Sequence, residues 1–168
     1  MAEVLPFGSK RAFFSASTPP DLRRILQDAL EATTSSPERT EALLLKARRQ
    51  WPEEPDAHIS LYKFYFVARR YHQAEAAVWA ALRMAAQDLG ITRNYRRLTP
   101  HSAQWSQRQG SERLYLFSLK ALGVIRLRRD RVVQAQAVLA KLLELDPLDE
   151  IGGGTFLQIA QSFTEEDD

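Results

Sequence analysis

From Leu22 onward the apolar residues of this chain recur every three or four positions, and no stretch alternates with a period of two for long enough to make a strand. The chain is therefore read as all-α. Prolines, glycines and capping residues cut the pattern into segments. Thr18-Pro19-Pro20-Asp21 offers a cap hydroxyl, a proline at the first helical position and an acid in the first turn, ahead of Leu22, Ile25, Leu26, Ala29 and Leu30. Ser36-Pro37-Glu38 opens a second helix carrying Leu43, Leu44, Ala47 and Trp51, which Pro52 stops. Pro55 and Asp56 open a third, to about Arg69, apolar on more than one face and so packed on several sides. A fourth runs from about Tyr71 to Leu89 and stops at Gly90. Ser111 is expected to cap a fifth, Glu112 to Arg128, and Asp130 a sixth, Arg131 to Leu145. After Gly152-Gly153-Gly154, Thr155 is expected to cap a short last helix with Phe156, Ile159, Ala160 and Phe163 on one stripe.

Three segments fall outside this pattern. Residues 1–18 mix Gly, Ser, Thr and Pro with Phe7, Phe13 and Phe14 and read as a flexible arm. Residues 90–111 form a long basic linker, and residues 164–168 an acidic tail. The helical domain is then 19–163, and a chain of 168 residues fits one domain. There is no cysteine, which excludes disulfides, thiolate metal sites and a cysteine nucleophile. No apolar run approaches the ~18 residues of a membrane span, and the N-terminus lacks the apolar run of a signal peptide, so a cytoplasmic location is expected. Eight of the 21 acids lie at or beyond Glu144 and all 23 bases before it, so residues 1–143 carry 13 acids and a net charge of +10. A basic body joined to an acidic tail is either a solvated surface or a surface for an acidic partner, the tail meeting the linker at Arg93, Arg96 and Arg97.

Two helix pairs share a pattern. The first is Leu61, Tyr65, Tyr71, Ala74, Val78 and Ala81; the second is Leu122-Gly123, Ala135, Leu139, Leu142 and Pro147. Small residues such as Gly123 with Ala135, or Ala74 with Ala81, let two antiparallel helices approach closely, and such a pair must stack on neighbours to bury its apolar face. These spacings resemble the tetratricopeptide repeat, most specifically over 55–86 and 114–147, with 20–52 as a degenerate first copy. Departures stand at Tyr62, Arg126, Val132, Leu142 and Ala86, where the pattern has glycine, tyrosine, an aromatic, a small residue and proline. The resemblance, to small bacterial single-domain members, implies a superhelix of helical hairpins closed by a C-terminal capping helix. It also implies a concave groove for a partner polypeptide, lined by Ile59, Lys63 and Phe66 in one pair and Phe117, Lys120, Val124 and Leu127 in the other. Apolar anchors would sit at Ile59 and Phe117, with Lys63 and Lys120 answering an acid on the ligand; alternatively the arm or a neighbouring helix covers these residues. The run from Leu114 to Gly123, with Lys141 to Pro147, also resembles small bacterial repeat proteins encoded beside nitrogen-fixation or metalloenzyme-assembly genes.

No catalytic constellation is visible. His58, His72 and His101 make no metal-ligand spacing, and the Gly152-Gly153-Gly154-Thr155 run lacks the lysine and preceding strand of a phosphate loop. Neither a cofactor nor a metal is expected, and no enzyme. In the linker, Arg93, Tyr95, Arg96, Arg97, Trp105 and Arg108 interleave charge with flat rings, as a single-stranded nucleic acid requires. A linker pinned by Tyr95 and Trp105, or a protein-binding patch, has the same composition. The expected function is that of a non-catalytic adaptor or chaperone-like assembly factor binding another protein or peptide; the alternative is a helical binder of RNA or another polyanion.

Overall fold

The computed structural model describes residues 17–107 and 110–165, so the arm up to residue 16, Arg108 and the last three acids lie outside the described residues. Among them every regular element is helical: α1 (Pro20–Ala32), α2 (Pro37–Gln50), α3 (Pro55–Val67), α4 (Tyr71–Leu89), α5 (Gly110–Arg128), α6 (Val132–Leu145) and α7 (Gly154–Glu165), with one 3-10 turn, Tyr95–Arg97. The chain divides into two compact units, Met1–Ala77 and Val78–Asp168, the boundary falling within α4.

In the first unit α1 and α2 form a hairpin on which α3 packs. Leu22, Leu26, Ala29, Leu44, Ala47, Leu61 and Tyr62 are fully buried at its centre. The expected all-round burial of α3 is realised: nine of its residues, from Ala57 to Phe66, are buried, Lys63 among them. Ser36 caps α2 by accepting from Arg39 N (3.3 Å). Thr18 does not cap α1; its hydroxyl donates to Asp56 Oδ2 (2.5 Å), and the helix begins at Pro20 without a side-chain cap. That bond fastens the entry of α1 to the start of α3, outweighing a local cap. Arg70 is held in an ion pair with Glu41 of α2 and lies over the Tyr65 ring (4.9 Å), which keeps the Glu41 carboxyl below its ordinary pKa.

The second unit holds the later part of α4, the linker and α5–α7. α5 and α6 run antiparallel, and a Cβ placed on Gly123 would lie 2.5 Å from Cγ and Cδ2 of Leu139, so glycine is what permits this approach. The side chain that meets it across the pair is thus Leu139, where the sequence pattern pairs it with Ala135, which is buried. α7 packs back on α6: Gln136 Nε2 donates to Ala160 O (3.0 Å) and Thr164 Oγ1 (3.1 Å).

Three expected caps differ. Ser111 lies inside α5 and donates to Asp88 Oδ2 (2.5 Å), fastening the helix to the end of α4. Asp130 adopts a left-handed φ of 58°, so Arg131 takes the cap position of α6 without a side-chain cap. Gly154 opens α7, its N–H donating to Asp149 Oδ1 (3.1 Å), which leaves Thr155 inside the helix. One device closes α3, α4 and α5: a left-handed residue (Arg69, Gly90, Asp130) followed by a bond from the next N–H to the carbonyl five residues back.

Candidate functional site

The groove residues expected from the sequence are placed as follows, unit by unit. In the first, Lys63 and Phe66 are buried and Ile59 is half-buried; Phe66 meets Tyr71 edge-on (5.6 Å). Burial pushes the Lys63 ammonium below its ordinary pKa. In the second, Lys120 and Val124 are buried, while Phe117 and Leu127 are half-buried. Lys120 donates to Ile151 O (3.0 Å) and lies 5.7 Å from the ring centres of both Phe117 and Phe156. Desolvation lowers its pKa, against an opposing pull from Asp149. This lysine is held by the loop between α6 and α7, so of the two alternatives, facing a ligand or being covered, it is covered.

On α7 the expected stripe is split: Phe156 and Ala160 are buried against the unit, whereas Ile159 and Phe163 are 39% and 53% exposed. A four-residue spacing puts both on one side of the helix. Phe156 of α7 shares Lys120 with Phe117 of α5, so α5 and α7 adjoin on the same side of α6. Beside Phe117, in the N-terminal half of α5, an open pocket of about 170 Å³ is lined by Trp105, Gln107, Arg113, Leu116, Asp146, Glu150 and Ile151. Asp146 is committed there to the backbone N–H groups of Glu150 (3.2 Å) and Ile151 (2.8 Å), which shapes the wall. Arg113 lies 5.8 Å from the Phe117 ring, its charge at the pocket and its plane beside an aromatic face. The pocket joins apolar walls from Trp105, Leu116 and Ile151 to one guanidinium, Arg113, and two carboxylates, Asp146 and Glu150. Sequence reading misses it because Trp105, Leu116 and Ile151 come from three separate segments with no shared period.

The linker is pinned. Tyr95, Leu98 and Trp105 are buried; Trp105 Nε1 donates to Thr99 O (3.0 Å), and Lys141 of α6 donates to Leu98 O (2.8 Å). Trp105 packs on Tyr115 of α5 (5.6 Å), whose hydroxyl burial drives well above its ordinary pKa. Arg93, Arg96 and Arg97 remain exposed, and Arg108 lies outside the described residues. The two linker rings that a nucleobase would need are therefore turned inward.

Among the described residues no group of three His, Asp or Glu side chains is placed to hold a metal ion, and no helix is long and apolar enough to cross a membrane. His58 is buried, its Nε2–H donating to Pro52 O (2.6 Å). His72 and His101 are exposed.

No family model matches the chain, and no solved structure matches it. A protein described as an uncharacterised 19.8 kDa protein in the nifW 5′ region of Azotobacter chroococcum mcd 1 is 26% identical over 166 residues, spanning 98% of this chain and 92% of that protein. The chain is thus similar, along nearly its whole length, to a protein encoded in that region.

Proposed function

We propose that this protein is a non-catalytic adaptor or assembly factor that holds a partner polypeptide on the α5–α7 face of its second unit. The observation that carries the reading is the pair Ile159 and Phe163, large apolar side chains left 39% and 53% exposed on α7. The pocket at Trp105, Leu116 and Ile151 supplies a second anchor point. A few large side chains, aromatics prominent among them, carry most of the binding energy at such interfaces. A tetratricopeptide-like arrangement is supported by one contact between α5 and α7: residues 120 and 156, flanking α6 in sequence, meet across a separation close to the ~34-residue repeat period. A role in assembling a nitrogen-fixation component is supported by the similarity to the protein of the nifW 5′ region.

The test uses the full chain as bait in lysate of a nitrogen-fixing culture, with Ile159→Asp and Phe163→Asp alongside the wild type. The reading expects a defined polypeptide, retained in defined stoichiometry by the wild type and lost from both variants, with helical circular dichroism unchanged. Equal retention by all three proteins, or no saturable partner, overturns it.

A further inference from the structure

The pocket beside Phe117 has a charge pattern of its own. It opens where α6 ends: Asp146 is the C-cap of that helix, its N–H donating to Leu142 O (2.8 Å). The carbonyl end of a helix carries the negative half of its dipole, which a cation near the last turn stabilises. The last turn of α6 holds no basic residue, and Lys141, one turn earlier, is engaged by Leu98 O and Glu144. Asp146 adds a full negative charge at the same place. It is only 8% exposed, and its two carboxylate oxygens each accept from one backbone N–H, of Glu150 and of Ile151. Those two bonds leave a lone pair on either oxygen. Glu150, which is exposed, brings a second carboxylate to the lining.

Two cations stand nearby. Lys120 is bonded to Ile151 O and does not line the pocket. Arg113 lines it but lies beside the Phe117 ring, and among the described residues it forms no ion pair with Asp146 or Glu150. Two carboxylates against one guanidinium leave the lining with a net charge of −1.

We propose that this pocket receives one basic side chain, arginine or lysine, from the partner polypeptide. The proposal rests on the α5–α7 reading, in which the pocket is the second anchor point. The methylene stem of such a side chain lies along Leu116 and Ile151, and its charged head meets Asp146 at the end of α6. The Trp105 wall acts with the same sign, since the face of an indole attracts cations. An acidic side chain would find Arg113, but beside two like charges and the negative end of a helix.

The experiment follows the Trp105 indole and the Leu116 and Ile151 methyl resonances of the full chain by NMR. The probes are peptides acetyl-Gly-Xaa-Gly-amide in which Xaa is Arg, Lys, norleucine or Glu. The Arg and Lys peptides are expected to shift these resonances saturably, and the norleucine and Glu peptides to bind about tenfold more weakly or worse. Asp146→Asn is expected to weaken the Arg peptide about tenfold. Should that change disturb the loop, Arg113→Gln decides the sign alone: removing the one lining cation is expected to tighten the Arg peptide severalfold. Propylguanidine, the same head without a peptide backbone, is expected to bind more weakly than the Arg peptide. No saturation by either basic peptide, norleucine or Glu equal to Arg, weaker or unchanged binding in Arg113→Gln, or tighter binding of propylguanidine overturns the proposal. The basic peptides carry no large apolar side chain for the α7 anchors. Failure here therefore leaves the retention test with Ile159→Asp and Phe163→Asp standing, and failure of that test leaves this readout intact.

Discussion

His58 shows how one buried side chain can set the acid limit of the first unit. Its Nε2–H is bonded to Pro52 O, while its Nδ1 is buried without a hydrogen-bond partner. Desolvation, against the opposing Pro52 bond, holds its pKa below the ordinary histidine value. The unfolded chain therefore takes up the proton more readily than the folded one. The stabilising contribution is present above the ordinary pKa and is lost as pH falls through the lowered folded value. Denaturant midpoints should drop on acidification from neutrality, and His58→Gln should flatten that part of the profile; an equally steep profile in the variant would assign the loss to other groups. Gly123 makes the companion case in the second unit. A Cβ there meets Leu139, itself fully buried and unable to swing into solvent. Gly123→Ala is expected to cost about 1–3 kcal/mol by overpacking despite the better helix propensity of alanine. Gln73→Leu, at an exposed site, should stay within about 0.5 kcal/mol in the same denaturation series.

Helix ends and the linker decide which elements hold. α3 and α5 both close on left-handed residues that are not glycine, Arg69 with φ 60° and Asp130 with φ 58°. A Cβ in that region costs roughly 1–2 kcal/mol. Arg69→Gly is accordingly expected to raise the stability of the protein by up to about 1 kcal/mol, since glycine removes the strain but adds chain entropy to the unfolded state. A lowered melting temperature would show that the Arg69 side chain contributes more than its backbone costs. In the linker, Trp105 joins Thr99 to Tyr115 through one hydrogen bond and one ring contact. Trp105→Ala should cost about 3–5 kcal/mol and open residues 99–107 to limited proteolysis, while Arg93→Ala, at an exposed site, should do neither.

At the scale of the whole molecule, bases and acids are separated along the chain. Residues 1–143 carry a net +10, and Glu165, Glu166, Asp167 and Asp168 end the chain. Opposite charges joined by a flexible tether meet at an effective concentration of roughly millimolar order. Removing residues 164–168 is expected to raise the affinity for an acidic peptide severalfold at low salt, and the gain should fade as salt rises, because exposed ion pairs are screened over about 8–10 Å. A variant carrying the same acids at the N-terminus controls for net charge. Equal affinity of the truncated and full chains at low salt would show that the tail does not compete.

Helix content, the breaks at Pro52, Gly90 and Pro147, and the all-round burial of α3 were legible in the sequence. They rest on local propensity, proline and glycine stereochemistry and the period of apolar residues, each confined to a few neighbouring positions. The fate of Thr18, Ser111 and Lys120 was not legible. Each has a local role open to it, a cap or a solvent-facing charge, and each is taken instead by a partner far along the chain: Asp56, Asp88 and Ile151. The candidate site divides in the same way. Periodicity put Phe156, Ile159, Ala160 and Phe163 on one stripe, but only the packing of α7 on α5 and α6 decided that Phe156 and Ala160 are covered while Ile159 and Phe163 stay open. A side chain's type and spacing fix which face it shares. Which part of that face meets another element depends on where the other helices lie, and no period within one segment encodes that.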